Sequence, residues 1–532
     1  MDNAPLDLDE DRSDDEHEGE AINEDNDDDN GNDETNEFDD NEFVDQCKGI
    51  EANNKGYTEC LIRRVLDNNR ARTLGKSLMG NTYLHELKVY LSVDLTVPSA
   101  LSLVGGLVRS QVKILALGGD HGIPPSLDVM EQIYNLPLQQ KFSCLETLHI
   151  CFDLRRDEHA ELLGRSLTGN QWLQNLSLDV RHVSPAGAQA IAEGIRSSLI
   201  KNLALDDDGT LYSEYATLTE TMEILYEHAV HGSPRMRCLS VSGTCGGLDV
   251  LLNAKTPANS PSVSLCKLEI KWCSLSLVNA QLLNNALMLT AASSSALTQL
   301  EVLNLWWCDL GEEHMRILSY GLGNHKSLQH LLLMYNEMGD AGIALFINNW
   351  SHESVIRILD LTASRISGVG AKRLLEALPN HASMDELVLN SNFAMSYDGL
   401  KLIGETLVGK RLITLGLDGV AHWFTYHDAS EDAIRQASKA TEAGKALVEG
   451  MRRNMYVKSM SIAVHGFDWP TRVKDELELY LSANKRGRSL LLEHHNLPLA
   501  FWCYWIEKQG DDSSLIYLFL RELPMLISAG RK

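Results

Sequence analysis

The residue patterns that could carry catalysis are all incomplete in this chain of 532 residues. A phosphate-binding loop needs two glycines separated by four residues, then Lys and Ser or Thr, so that backbone amides cradle phosphate and the hydroxyl reaches its metal. Gly404 to Lys410 satisfies the first part, but Arg411 stands where the hydroxyl belongs. Gly75-Lys76-Ser77 has the end of the motif, with Arg70 in place of the first glycine. His494 and His495 are adjacent, an arrangement that points the two rings apart on a helix. The zinc-protease, serine-hydrolase and C-x-x-C spacings do not occur. The reading is a non-enzymatic chain with no cofactor and no resident metal.

What does recur is leucine. Aligned on L-x-x-L-x-L, the central position falls at Leu87, Leu115, Leu148, Leu176, Leu203, Leu239, Leu268, Leu303, Leu331, Leu359, Leu387, Leu415 and Met460. Four consecutive spacings of 28 separate Leu303 from Leu415. One unit reads Leu300, Leu303, Leu305, Cys308, Leu310 and the next Leu328, Leu331, Leu333, Asn336, Met338. Apolar alternation around the central leucine predicts a short strand, and the Cys or Asn after it can bond backbone groups where the chain turns. Apolar residues at plus 15 and plus 19, such as Ile191 and Ile195 or Leu374 and Leu378, are spaced as one face of a helix. A strand and a helix of this size cannot bury their own apolar faces, so the units must stack.

A strand plus a helix in 28 residues, with Cys or Asn after the strand, resembles the ribonuclease-inhibitor class of leucine-rich repeats. That class is shared by the Ran GTPase-activating proteins and the repeat domains of NOD-like receptors. The resemblance implies an α/β fold, a horseshoe of about 13 strand–helix units with parallel strands on the concave face and helices outside. It specifies fold more than function. Asn484-Lys485-Arg486-Gly487-Arg488, Leu497-Pro498-Leu499 and Phe519 to Pro524 are similar to the C-terminal module of microalgal leucine-rich-repeat proteins of no assigned activity, which implies lineage only.

Charge is concentrated at one end. Residues 1–45 hold 22 Asp or Glu against the single Arg12, a net −21 of the chain's −27. That segment is expected to be a disordered acidic arm, because it has too little apolar surface to offset the entropy of ordering. Residues 46–73 read as a helical cap, 74–472 as the repeat domain and 473–532 as a second helical cap. The repeat region carries no dominant basic cluster, which argues against nucleic acid. No run of 18 apolar residues marks a membrane span. With few cysteines for its length, the chain is expected to be soluble and intracellular, in the cytoplasm or the nucleus.

The register places the residues one and three after each central leucine on the concave face, with the fourth at its edge. Trp272, Trp307 and Tyr335 share that fourth position in successive units, with Lys271, Trp306 and Met334 beside them. Asp179, Asp206, Asp207 and Asp208 make the earlier units acidic. The expected partner is a protein or peptide, with a basic segment and an apolar anchor fitting both regions. Two alternatives stand beside this: a Ran-type GTPase activator, which the resemblance implies and whose partner is a small GTPase, and a substrate-recognition subunit of a ubiquitin ligase. Three longer units carry insertions, around Asp206 to His231, Ser293 to Ser295 and Ala421 to Arg453, which are expected at one rim.

Overall fold

Fourteen strands form one parallel sheet in strict chain order in the computed structural model. It describes residues 34–138, 144–154, 156–207, 215–253, 264–288, 296–378, 383–419, 432–462, 469–486, 488 and 513–522. The strands are β1 (Glu59–Leu66), β2 (Glu86–Leu91), β3 (Ile114–Gly119), β4 (Thr147–Cys151), β5 (Asn175–Asp179), β6 (Asn202–Asp206) and β7 (Cys238–Ser242), then β8 (Lys267–Lys271), β9 (Val302–Trp306), β10 (His330–Leu332), β11 (Ile358–Asp360), β12 (Glu386–Val388), β13 (Thr414–Gly416) and β14 (Ser459–Ser461). A helix follows each one. This is the leucine-rich-repeat solenoid, one strand longer than expected.

The central positions pair directly across the whole sheet. Leu87 sits against Leu115, Leu268 against Leu303, Leu303 against Leu331 and Leu415 against Met460. Side chains at the central position and two residues on point inward, as with Leu176 and Leu178 or Leu303 and Leu305, and are almost fully buried against the outer helices. Each such leucine contributes about 1.5–3 kcal/mol relative to exposure, so a one-residue slip would forfeit the stabilisation of a whole unit.

Two expectations at the first end are corrected. Residues 59–66 form β1 instead of part of a capping helix, with Cys60 taking the central position opposite Leu87. The helix that closes this end is Glu34–Glu51, which begins inside the segment expected to be disordered. Phe43, Cys47 and Ile50 are buried from it, at spacings of four and three that keep one helix face inward. At the other end Thr471–Lys485 packs against Asp432–Arg453, and Ser513–Glu522 packs on it in turn. Arg488 is buried there and donates to the carbonyls of Met451, Arg452 and Asn454 at the end of Asp432–Arg453. The insertion segments 208–214, 289–295 and 420–431 lie outside the described residues, whereas Tyr215–Ile224 and Asp432–Arg453 are helical.

Neighbouring units are also sewn together after the strands. Asn336 Oδ1 accepts from the backbone N–H groups of Cys308 and Leu310, both at 3.0 Å, while its Nδ2 donates to the Leu305 and Leu333 carbonyls at 2.7 and 2.9 Å. Asn392 repeats the pattern with Ser364, Ile366, Leu361 and Leu389. Asn336→Ala leaves these buried groups unpaired, and we expect a loss of about 3 kcal/mol of unfolding free energy by urea titration, whereas substituting the exposed Asn69 should change little.

Candidate functional site

The sheet changes character between β6 and β7, and that change creates the site. Up to β6 the strand alternation runs on to the fourth position, so Phe152, Val180 and Asp207 point inward and are buried. From β7 onward the backbone turns at that position. Gly243, Trp272, Trp307, Tyr335, Ala363, Ser391 and Gly419 all have φ between +52° and +85°. Their N–H groups still donate to the next strand, as from Trp272 to Trp306 O at 3.0 Å and from Tyr335 to Thr362 O at 2.7 Å. The left-handed residue therefore keeps the ladder while sending its side chain outward, and the fifth residue turns inward: Cys273, Cys308, Asn336, Ser364 and Asn392 are buried.

Trp272, Trp307 and Tyr335 form a stack along this edge. Ring centroids are 4.6 Å apart for Trp272–Trp307 and 5.5 Å for Trp307–Tyr335, with interplanar angles of 21° and 13°. These separations follow the spacing of adjacent strands, about 4.8 Å. Trp306 lies beside them, edge-on at 5.0 Å to Trp272 and 6.1 Å to Tyr335. The three stacked residues remain 47%, 43% and 43% exposed. Lys271 and Met334 are half-buried neighbours.

The expected acidic region is largely neutralised. Asp207 is buried, at 6% exposure, so it does not line the face. Asp179 is held by Arg181, whose Nε lies 3.0 Å from each carboxylate oxygen. Glu269, which the sequence reading missed, bonds Lys271 at 3.1 Å, Lys267 at 3.2 Å and Asn304 at 3.2 Å. Burial alone would raise its pKa, but these partners overcome that and hold it below the usual carboxylate range. Asp206 is different. Its hydrogen-bond partner is Ser177 Oγ at 3.3 Å, and among the described residues no cation forms an ion pair with it, the nearby Lys271 being on Glu269. Burial raises its pKa, with Asp179 adding to that, while Ser177, Lys271 and His149 only partly oppose it. Asp208 lies outside the described residues.

A shallow trough of about 280 Å³ runs beside these groups, across β4 to β8. Its floor is open because Ser177, Ala204 and Ser240 are small, and His149 and Glu269 stand at its two ends. That row of small residues one after the central leucine was the available sequence signal.

Among the described residues, no group of three or more His, Cys, Asp or Glu could hold a metal ion, and no helix is long and apolar enough to cross a membrane. Gly404 lies inside the helix Tyr397–Thr406, packed against the backbone at Ala446. The Cys308 thiol is pushed up to about 12 by burial, and it bonds the Ile270 carbonyl. Cys273, at the same post-strand position as Cys308, is buried and disulfide-bonded to Cys245 across 28 residues, with Cα atoms 5.8 Å apart. The bond ties the β7 and β8 units together directly behind Trp272, and closing a loop of that size stabilises by about 3–4 kcal/mol on the chain-entropy account.

Over 280 residues the chain is 25% identical to the ribonuclease inhibitor of Sus scrofa, covering 47% of this chain and 59% of that protein. The parallel strand–helix units of this chain fit the ribonuclease-inhibitor type of leucine-rich repeat. A 132-residue stretch, 24% of this chain, is 31% identical to 13% of the human NACHT, LRR and PYD domains-containing protein 13. The chain thus spans less than two thirds of the length of these relatives. No protein-family model matches it.

Asp206 supplies a test of the site's electrostatics. A carboxylate with a raised folded-state pKa contributes stability that is fully present below its unfolded value and is lost as pH rises through the folded value. Asp206→Asn is therefore expected to unfold at higher urea than the wild type at pH 7, with the difference vanishing below about pH 4, near the ordinary carboxylate pKa. A less stable Asn variant at pH 7 would contradict this.

Proposed function

We propose that this chain is a non-enzymatic scaffold that binds a protein or peptide on the concave face of its repeats, anchored by Trp272, Trp307 and Tyr335. The observation that carries the reading is that three bulky residues occupy left-handed backbone while staying open to solvent. Left-handed φ costs roughly 1–2 kcal/mol for a residue with a Cβ. Two stacked pairs return roughly 0.5–1.5 kcal/mol each. Stacking thus offsets only part of the cost, and the same position elsewhere holds Gly243 or Gly419, which adopt it without strain. Exposed, pre-stacked Trp and Tyr are the side chains that dominate binding hot spots, because their rigidity leaves little entropy to lose.

The similarity to a protein named as an inhibitor of ribonuclease supports a role exercised by binding another protein. Neither the face nor the relatives favour the GTPase-activator or ubiquitin-ligase alternative. A small GTPase therefore stands as one protein partner among others.

Simultaneous replacement of Trp272, Trp307 and Tyr335 by Ala should remove specific partners from affinity capture in native lysate while the thermal midpoint stays within a few degrees. Trp172→Ala, at an exposed tryptophan away from the stack, serves as the control and should retain them. Identical capture by all three proteins would overturn the reading.

A further inference from the structure

The stack has two end faces, and they are not equivalent. Trp307 covers one face of Trp272. The other face looks along the sheet toward β7, where the matching residue is Gly243, which carries no side chain of its own. A Cβ there would collide with the Asp207 carbonyl oxygen, so the position is confined to glycine, and among the described residues Trp272 stays exposed on this side of the stack. One strand further, at the third position of β6, is Asp206, in register with Ser242 and Lys271. At the opposite end, beyond Tyr335, stands Ala363. The nearby Asp360 is already satisfied by Thr362, whose backbone N–H and hydroxyl donate to it at 2.9 and 2.6 Å.

We propose that the Trp272 end of the stack is an arginine site: a guanidinium from the partner lies flat on the free indole face above Gly243 and pairs with Asp206. This deepens, and rests on, the concave-face reading above. A planar cation stacked on an indole sits above the next strand, and β6 is then one spacing of about 4.8 Å away, within reach of an Asp carboxylate. Two charge arguments select the occupant. Among the described residues on this part of the face, Asp179 and Glu269 already hold cations, whereas Asp206 has none within ion-pair distance. Lys271 is directed to Glu269. Arginine fits better than lysine because its flat guanidinium can stack and hydrogen-bond at once, while an ammonium offers only a point charge. The trough over Ser177, Ala204 and Ser240 continues from this point and would take the apolar residue beside the arginine.

The test uses the full-length protein and a phage-displayed library of random twelve-residue peptides. Binders selected on the wild type and lost on the triple aromatic variant should share one arginine. For an enriched peptide, changing that arginine to the neutral isostere citrulline should weaken binding about tenfold to wild type, read by fluorescence anisotropy. The same change should alter binding to Asp206→Asn less than about threefold, a loss of coupling that an arginine bound elsewhere would not show. Asp206→Asn is isosteric, and Trp272→Phe, which keeps a smaller ring, replaces the triple aromatic variant if that variant fails to fold. Ladder-dependent binders without a shared arginine, or with equal citrulline losses on both proteins, would overturn the arginine site and leave the concave-face reading standing. Absence of any ladder-dependent binder would overturn both.

Discussion

Backbone hydrogen bonding between parallel strands sets the distance on which everything else in this protein depends. With strands held about 4.8 Å apart, each inward leucine meets its counterparts in the neighbouring units, and any side chain repeated at one outward position must touch its copy. The core and the aromatic stack are thus two consequences of one register. Leu268, Leu303 and Leu331 align inside the sheet, and four residues later Trp272, Trp307 and Tyr335 align outside it. Centroid separations of 4.6 and 5.5 Å need no special packing, only large flat side chains in successive units.

The change at β7 decides which half of the array can present such a column. Where the strand alternation continues to the fourth position, the residue there serves the core, as Phe152 and Val180 do. Once the backbone turns left-handed at Gly243, the fifth residue takes over the inward role and the fourth is released to solvent. The Cys245–Cys273 disulfide lies at this transition, and Asn336 and Asn392 hold the turns that follow. Asp206 sits at the boundary as a carboxylate that the free protein does not fully satisfy. A surface combining strained aromatics with an under-compensated charge is less stable than its sequence would allow, a pattern expected where binding later supplies the missing interactions.

Most of the fold was legible because leucine spacing encodes register directly. The thirteen central positions read from the sequence are the residues that pair across β2 to β14. The first strand was missed because Cys60 stands in for leucine and Arg63 and Arg64 suggested a polar helix face. Tyr57, Cys60 and Ile62 nonetheless follow the repeat pattern, 27 residues ahead of Leu87. The capping helix was hidden by acidic composition, although Phe43, Cys47 and Ile50 were already at helical spacing. For the site, the aromatic column could be read from register arithmetic, whereas the fate of the acidic residues could not. Whether the fourth residue turns in or out depends on a backbone angle, so Asp207 and Trp272 occupy the same sequence position with opposite outcomes. Pairing of Asp179 with Arg181 and of Glu269 with two lysines depends on side-chain reach across strands, which spacing alone does not reveal.

The central claim is that Trp272, Trp307 and Tyr335 stand open in the free protein. Hydroxyl-radical footprinting read by mass spectrometry measures this directly, since each ring reports its own solvent access. Exposed Trp172 and buried Trp350 give internal standards within the same chain. The account predicts oxidation of Trp272 and Trp307 at rates close to that of Trp172, with Tyr335 modified readily and Trp350 protected. Protection of Trp272, Trp307 and Tyr335 to the level of Trp350 in the isolated protein would mean that the chain covers its own stack, and would contradict the account.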